Sequence, residues 1–153
     1  MIRRLALATL LTAICDGLFS SALSVFAYGS TVKRLWQGVA AVPFGANALQ
    51  QDSFAWVGLA MHVCVAFAWS AVFLLLYESL PPLRRLVARR FGVLAAAAVY
   101  GPLVWTVMSF HVIPALTHRP PVVNGRWWTQ FAGHAIFVGL PIAAMISRPE
   151  RPR

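Results

Sequence analysis

Four long apolar stretches, residues 5–28, 55–77, 91–114 and 128–147, take up most of this 153-residue chain. A bilayer's hydrocarbon core of about 30 Å needs about 20 helical residues at about 1.5 Å each, and every stretch supplies them. Backbone polar groups inside lipid must be satisfied within the segment, so an apolar run of this length is a helix. The expected fold class is therefore all-α: a polytopic membrane protein with four transmembrane helices and a short interfacial or re-entrant helix, forming one domain over residues 1–153. Too little chain remains outside the spans for a soluble catalytic domain, and no enzyme is expected.

Composition excludes the soluble alternatives. Hydrophobic residues make up 59% of the chain, charged residues 11%, and the mean hydropathy is +0.71; a soluble domain carries about 25% charged residues. The net charge of +9 raises nucleic acid as a partner. The cations instead lie between and beyond the apolar stretches, as topogenic charge and lipid-headgroup contacts do, and no basic stripe is interleaved with aromatics.

The same cations orient the chain. Arg3, Arg4, Arg84, Arg85, Arg89, Arg90, Arg148, Arg151 and Arg153 fall on one side of a four-span topology, and Lys33, Arg34, Arg119 and Arg126 on the other. The positive-inside rule then puts both termini in the cytoplasm. Arg3, Arg4 and the following apolar run resemble a signal peptide, and Leu11–Cys15 loosely resembles a lipoprotein cleavage site. Ile14 is too bulky for such a site, and the apolar run to Tyr28 exceeds the 7–15 residues of a signal core. The first span is expected to be retained. Cys15 and Cys64 both fall within spans and read as small buried residues rather than a disulfide or metal pair.

Two connecting segments carry a pattern. In residues 31–45, Val32, Leu35, Trp36 and Val39 recur at helical spacing, with Lys33, Arg34 and Gln37 on other faces, and Pro43-Phe44-Gly45 ends the run. This predicts an amphipathic helix at the outer interface. After Pro81-Pro82, Leu83, Leu86 and Val87 alternate with Arg84, Arg85, Arg89 and Arg90, a second interfacial segment whose basic face meets anionic headgroups. Trp127 and Trp128 stand where the fourth span enters the membrane, as an aromatic belt does. Gly101-Pro102 and Pro141 are expected to interrupt the third and fourth helices.

Polar residues within the spans mark the candidate site. Asp16 is the one acid there, near the midplane by helical rise. An unpaired carboxylate at that depth costs roughly 2.5–3.5 kcal/mol, so it should face the bundle, protonated or partnered. Ala13, Gly17, Ser20 and Ser24 form a small-residue stripe beside it, and Gly58, His62, Ala66 and Ser70 form another on the second span, both suited to close helix approach. Gln130 and His134 share a face of the fourth span, with His134 at nearly the depth of His62. His111 lies near the outer end of the third. The predicted polar core is Asp16, Ser20, His62, His134 and Gln130. By helical rise Asp16 is about 6–8 Å deeper than the histidines, a gap for Ser20 or an ordered water to bridge.

Three readings suit such a cluster. The plainest is interhelical hydrogen bonding, worth about 0.6 kcal/mol per contact. The second is proton or ion handling through Asp16, His62, His134 and His111, since intramembrane Asp and His mark proton relays. For so few spans, proton-coupled transport or permeation implies a homo-oligomer. The third is ligation of haem or a metal by paired histidines, without a Cys-x-x-Cys-His attachment motif. No zincin motif, phosphate loop or Gly-x-Ser-x-Gly elbow is present, and no cofactor is expected.

The chain also resembles an uncharacterised family of small four-span bacterial inner-membrane proteins. The resemblance rests on Asp16, Gln37-Gly38-Val39-Ala40, Phe44-Gly45, Gly58, His62, Ala66-Phe67, Tyr100-Gly101, Val112-Ile113-Pro114, His134 and Val138-Gly139-Leu140-Pro141-Ile142-Ala143. A fainter similarity, through His62, Glu78-Ser79-Leu80-Pro81, Pro120-Pro121 and Gly133-His134, reaches the YagU-like inner-membrane proteins. The resemblance implies a bacterial inner-membrane location and no established activity. Ser109 and His111 depart from the family's pattern, so it points to Asp16, His62 and His134 as the set to test.

Overall fold

The computed structural model describes residues 1–148. Arg151 and Arg153, two of the nine orienting cations, lie outside the described residues. Among those residues the chain is helical without strands, and four helices are long and apolar enough to cross a membrane: α1 (Ile2–Ala27), α3 (Phe54–Ser79), α5 (Gly92–Thr117) and α6 (Gly125–Ile146). Two shorter helices, α2 (Val32–Phe44) and α4 (Pro81–Val87), occupy the first two connections. The protein is an all-α polytopic membrane protein, with spans that begin and end within three residues of the hydropathy boundaries.

The spans pack in the order α3, α1, α6, α5, and α3 also reaches the last turns of α6. Ala8, Phe73, Leu74, Ala96, Ile142 and Ile146 share one buried cluster. The start of α1, the end of α3, the start of α5 and the end of α6 therefore meet at one end of the bundle. That end, where α1 starts and α6 stops, is the terminal end; the end holding α2 is the loop end. In the buried cluster Phe73 packs against Tyr100, edge to face at 4.8 Å, with the Tyr100 hydroxyl donating to the Trp69 carbonyl at 2.7 Å. The outward faces carry Leu10, Leu18, Phe26, Trp56, Leu75, Val99 and Ile136, all exposed, which is the surface a helix presents to hydrocarbon.

Small residues set how closely the helices approach. A Cβ on Gly101 would overlap the His134 carbonyl, and one on Gly139 the Ala97 carbonyl, so α5 and α6 touch backbone to backbone. The expected interruptions fall elsewhere than at Gly101-Pro102. Helix α5 runs through Pro102, whose carbonyl accepts from the Thr106 hydroxyl at 2.8 Å. The ladder widens to five-residue steps at Met108–Val112 and Ala135–Gly139. These two wide turns are each followed two residues on by a proline, Pro114 or Pro141, whereas a third, at Leu23–Ala27 in α1, has none and ends that helix. Proline lacks an N–H and crowds the carbonyl four residues back, and a wide turn relieves that crowding without breaking the helix. Helix α4 forms as its pattern predicts: Val87 is buried, Leu83 and Leu86 are half-buried, and Arg84 and Arg85 are exposed.

Two expectations are corrected. Trp127 is not in an interfacial belt; it is buried between Phe110 and Phe131, its indole N–H donating to the Ser109 hydroxyl at 3.0 Å. Only Trp128 is exposed there. A tryptophan at a span's end turns inward when a hydroxyl on the neighbouring helix can take its N–H. Gln37 does not lie on the polar face of α2; it is buried, and its amide donates to the Gln51 carbonyl at 3.0 Å, using the side chain to close the loop that returns from α2 to α3.

Candidate functional site

The site begins with the docking of α2. Thr31 caps its start, the hydroxyl accepting from Arg34 N–H at 3.1 Å, and Gly45 ends it at φ +75°, a conformation natural to glycine. Lys33 pairs with Asp52 at 3.0 Å on the exposed face, and the Arg34 guanidinium donates to the Leu49 carbonyl at 2.6 Å. The opposite face, with Trp36, Gln37 and Ala40, packs along the loop-end half of α3. Gly58 makes this possible, because a Cβ there would overlap the Trp36 carbonyl. The Trp36 indole then reaches inward. Its ring lies 5.1 Å from that of His62 and would be 3.5 Å from a Cβ on Gly17. Helix α2 thus lies against the bundle, with Trp36 reaching between α1 and α3.

Beneath Trp36, Asp16 and His62 face each other. His62 Nδ1 is 3.9 Å from Asp16 Oδ2, and both side chains are 13% exposed. The expected 6–8 Å offset in depth does not keep these two side chains apart. That expectation assumed upright helices starting level with one another, whereas α1 and α3 approach closely at Gly17 and the imidazole extends toward Asp16. No bridge through Ser20 is needed; Ser20 is half-buried a turn further along α1. His62 Nε2 is 3.1 Å from the Ala13 carbonyl. A carbonyl only accepts, so Nε2 carries the hydrogen and Nδ1 is the face turned to Asp16. The second carboxylate oxygen, Asp16 Oδ1, is buried with no hydrogen-bond partner among the described residues.

His134 lies on α6. It stands where α6 packs against α5 at Gly101 and, one residue earlier, against Phe19 of α1 at Gly133. Its own hydrogen bond is local, Nδ1–H donating to the Gln130 carbonyl at 2.8 Å, and its ring rests 4.9 Å from that of Trp105. The Gln130 side-chain oxygen and the Trp105 indole nitrogen are buried without hydrogen-bond partners among the described residues. His111 is exposed, apart from the buried group. Among the described residues no three His, Cys, Asp or Glu side chains converge as a metal site. His62 Nε2 is committed to the Ala13 carbonyl, and Nδ1 is turned toward Asp16. Cys15 and Cys64 are unbridged, as expected, but Cys64 is exposed on the outside of α3.

Of the predicted polar core, the structure brings Asp16 and His62 together, while His134 and Gln130 share a hydrogen bond on α6. It adds Trp36, Trp105 and the Ala13 carbonyl. Trp36 stood out as the apolar residue of the amphipathic segment, but nothing in its spacing tells an interfacial indole from a wedge between helices. No protein-family model, curated protein or solved structure matches this chain.

Proposed function

We propose that this is a bacterial inner-membrane protein, both termini cytoplasmic, whose Asp16–His62 pair binds and exchanges a proton within the bilayer, with His134 as the adjacent acceptor. The observation that carries the reading is the fixed tautomer of His62. With Nε2–H committed to the Ala13 carbonyl, Nδ1 and Asp16 Oδ2 face each other across 3.9 Å, placed to share a single proton. Held on Nδ1, it makes an ion pair; held on the carboxyl, a neutral acid facing a neutral imidazole. Either way the pair is neutral overall, which is the inexpensive state at this depth. Removing the proton leaves a buried anion and adding a second leaves a buried cation.

A purely structural cross-link would have a different shape. Hydrogen bonds between charged partners close to about 2.7–2.9 Å. The separation here is longer, and Asp16 Oδ1 is left unsatisfied. Buried polar atoms are nearly always paired, so an unpaired carboxylate oxygen at the centre of a bundle supports exchange over cross-linking. Transport coupled to that proton, by an oligomer, is the fuller form of the reading, and the resemblance to four-span inner-membrane proteins predicts the same Asp16, His62 and His134. Proton flux into liposomes containing the purified protein tests it. Flux driven by a pH gradient should fall at least about tenfold in Asp16→Asn, equivalent to about 1.4 kcal/mol of barrier. Unchanged flux in that variant refutes the proposal.

A further inference from the structure

Five hydroxyls in or near α5 and α6 behave alike. Those of Thr106, Ser109, Thr117, Thr129 and Ser147 each donate to the carbonyl four residues back, at 2.7–2.9 Å. This is the default for Ser and Thr in a helix, because it satisfies the hydroxyl with no outside partner. Three hydroxyls in α1 and α3 break the pattern. Thr9, Thr12 and Ser70 are 9%, 2% and 0% exposed, and their hydroxyl oxygens have no hydrogen-bond partner among the described residues.

Their placement is ordered. On α1, Thr9, Thr12 and Asp16 are spaced three and four apart and fall within about 60° of one another around the helix. Ser70 lies two turns along α3 from His62, on the same stripe. Counted from the Asp16–His62 pair toward the terminal end, Thr12 is about 6 Å away, Thr9 about 10 Å and Ser70 about 12 Å. Two hydrogen bonds through one water span about 5.6 Å, of the same order as the one-turn axial step from Asp16 to Thr12. Thr9 is seven residues from the start of α1 at Ile2, about 10 Å from the helix end.

We infer that Thr12, Thr9 and Ser70 form a proton wire, completed by intervening waters, that connects the Asp16–His62 pair to the terminal end of the bundle. The inference rests on the proton-binding reading of that pair and gives it a direction of exchange. A hydroxyl suits the role because it accepts and donates at once. In each hop an oxygen lone pair takes the incoming proton while the hydrogen already on that oxygen leaves to the next acceptor; one O–H bond forms, one breaks, and no electrons are exchanged. A hydroxyl bound to its own helix carbonyl is not free to do this. The titratable groups facing the pair are each other and His134 from α6; α2 contributes only the indole of Trp36.

The test is proton flux in proteoliposomes under a fixed pH gradient, comparing the unaltered protein with Thr12→Val, Thr12→Ser and Asp16→Asn after thermal melting shows each to be folded. Valine removes the hydroxyl at nearly constant volume. Thr12→Val is expected to lower flux about tenfold, and Thr12→Ser to restore most of it. Full flux in Thr12→Val alongside lost flux in Asp16→Asn overturns the wire and leaves the proton site standing. Flux indifferent to Asp16→Asn, or absent from the unaltered protein, overturns both. If Thr12→Val does not fold, Ser70→Ala removes a hydroxyl further along the line and carries the same expectation: lowered flux supports the wire, unchanged flux overturns it.

Discussion

Gly58 shows how much one missing carbon atom holds in place. Adding a Cβ there drives it into the Trp36 carbonyl, and backbone cannot move aside as a flexible side chain can. Overpacking of this kind costs typically about 1–3 kcal/mol, so Gly58→Ala should lower the melting temperature in detergent and leave Lys33 and Arg34 open to trypsin. The polar pair makes a sharper prediction. If Asp16 and His62 share a proton, a double-mutant cycle with Asp16→Asn and His62→Ala should be non-additive in stability; two changes that simply add would show that the groups do not interact. Trp127→Phe removes the bond to Ser109, which keeps its second partner in the Trp105 carbonyl, and should cost about 1 kcal/mol in a chemical denaturation series. Sequence identified Asp16, His62 and His134 because charge and imidazole are expensive in hydrocarbon wherever they occur. It could not assign Trp127, Gln37 or Trp36 correctly. Each is amphipathic, and where it settles depends on whether another helix offers a carbonyl, a hydroxyl or a gap.

At the scale of elements, hydropathy alone located the four spans, because lipid demands about 20 apolar residues irrespective of tertiary contacts. The wide turns at Met108–Val112 and Ala135–Gly139 were not legible. A proline marks crowding, but whether the ladder breaks, kinks or widens is settled by what packs beside it. Helix α2 was legible as amphipathic, interfacial or re-entrant, but its packing on α3 was not, since the same stripe serves a membrane surface or a neighbouring helix. Its role as a cover can be measured. Trp36→Ala should speed exchange of the His62 ring N–H with solvent, followed by NMR, while far-UV circular dichroism stays that of the unaltered protein. An exchange rate that does not move would mean Trp36 does not shield the pair.

For the whole molecule, the distribution of cations predicts that a reporter fused to the C-terminus works only in the cytoplasm. The exposed Arg84, Arg85, Arg89 and Arg90 should also draw the bundle toward anionic lipid; replacing all four by glutamine should reduce co-purified acidic phospholipid, read by mass spectrometry. The seating of α2 against α3 has a consequence for biosynthesis. The ribosome completes α2 at Phe44 but does not complete α3 until Ser79. At about 5–20 residues per second the delay is about 2–7 s, during which a helix carrying Lys33 and Arg34 has no groove to enter. The wedge that covers Asp16 and His62 is therefore synthesised early and seated late, and a nascent chain arrested before Gly58 should expose it to protease while the first span is already in the membrane.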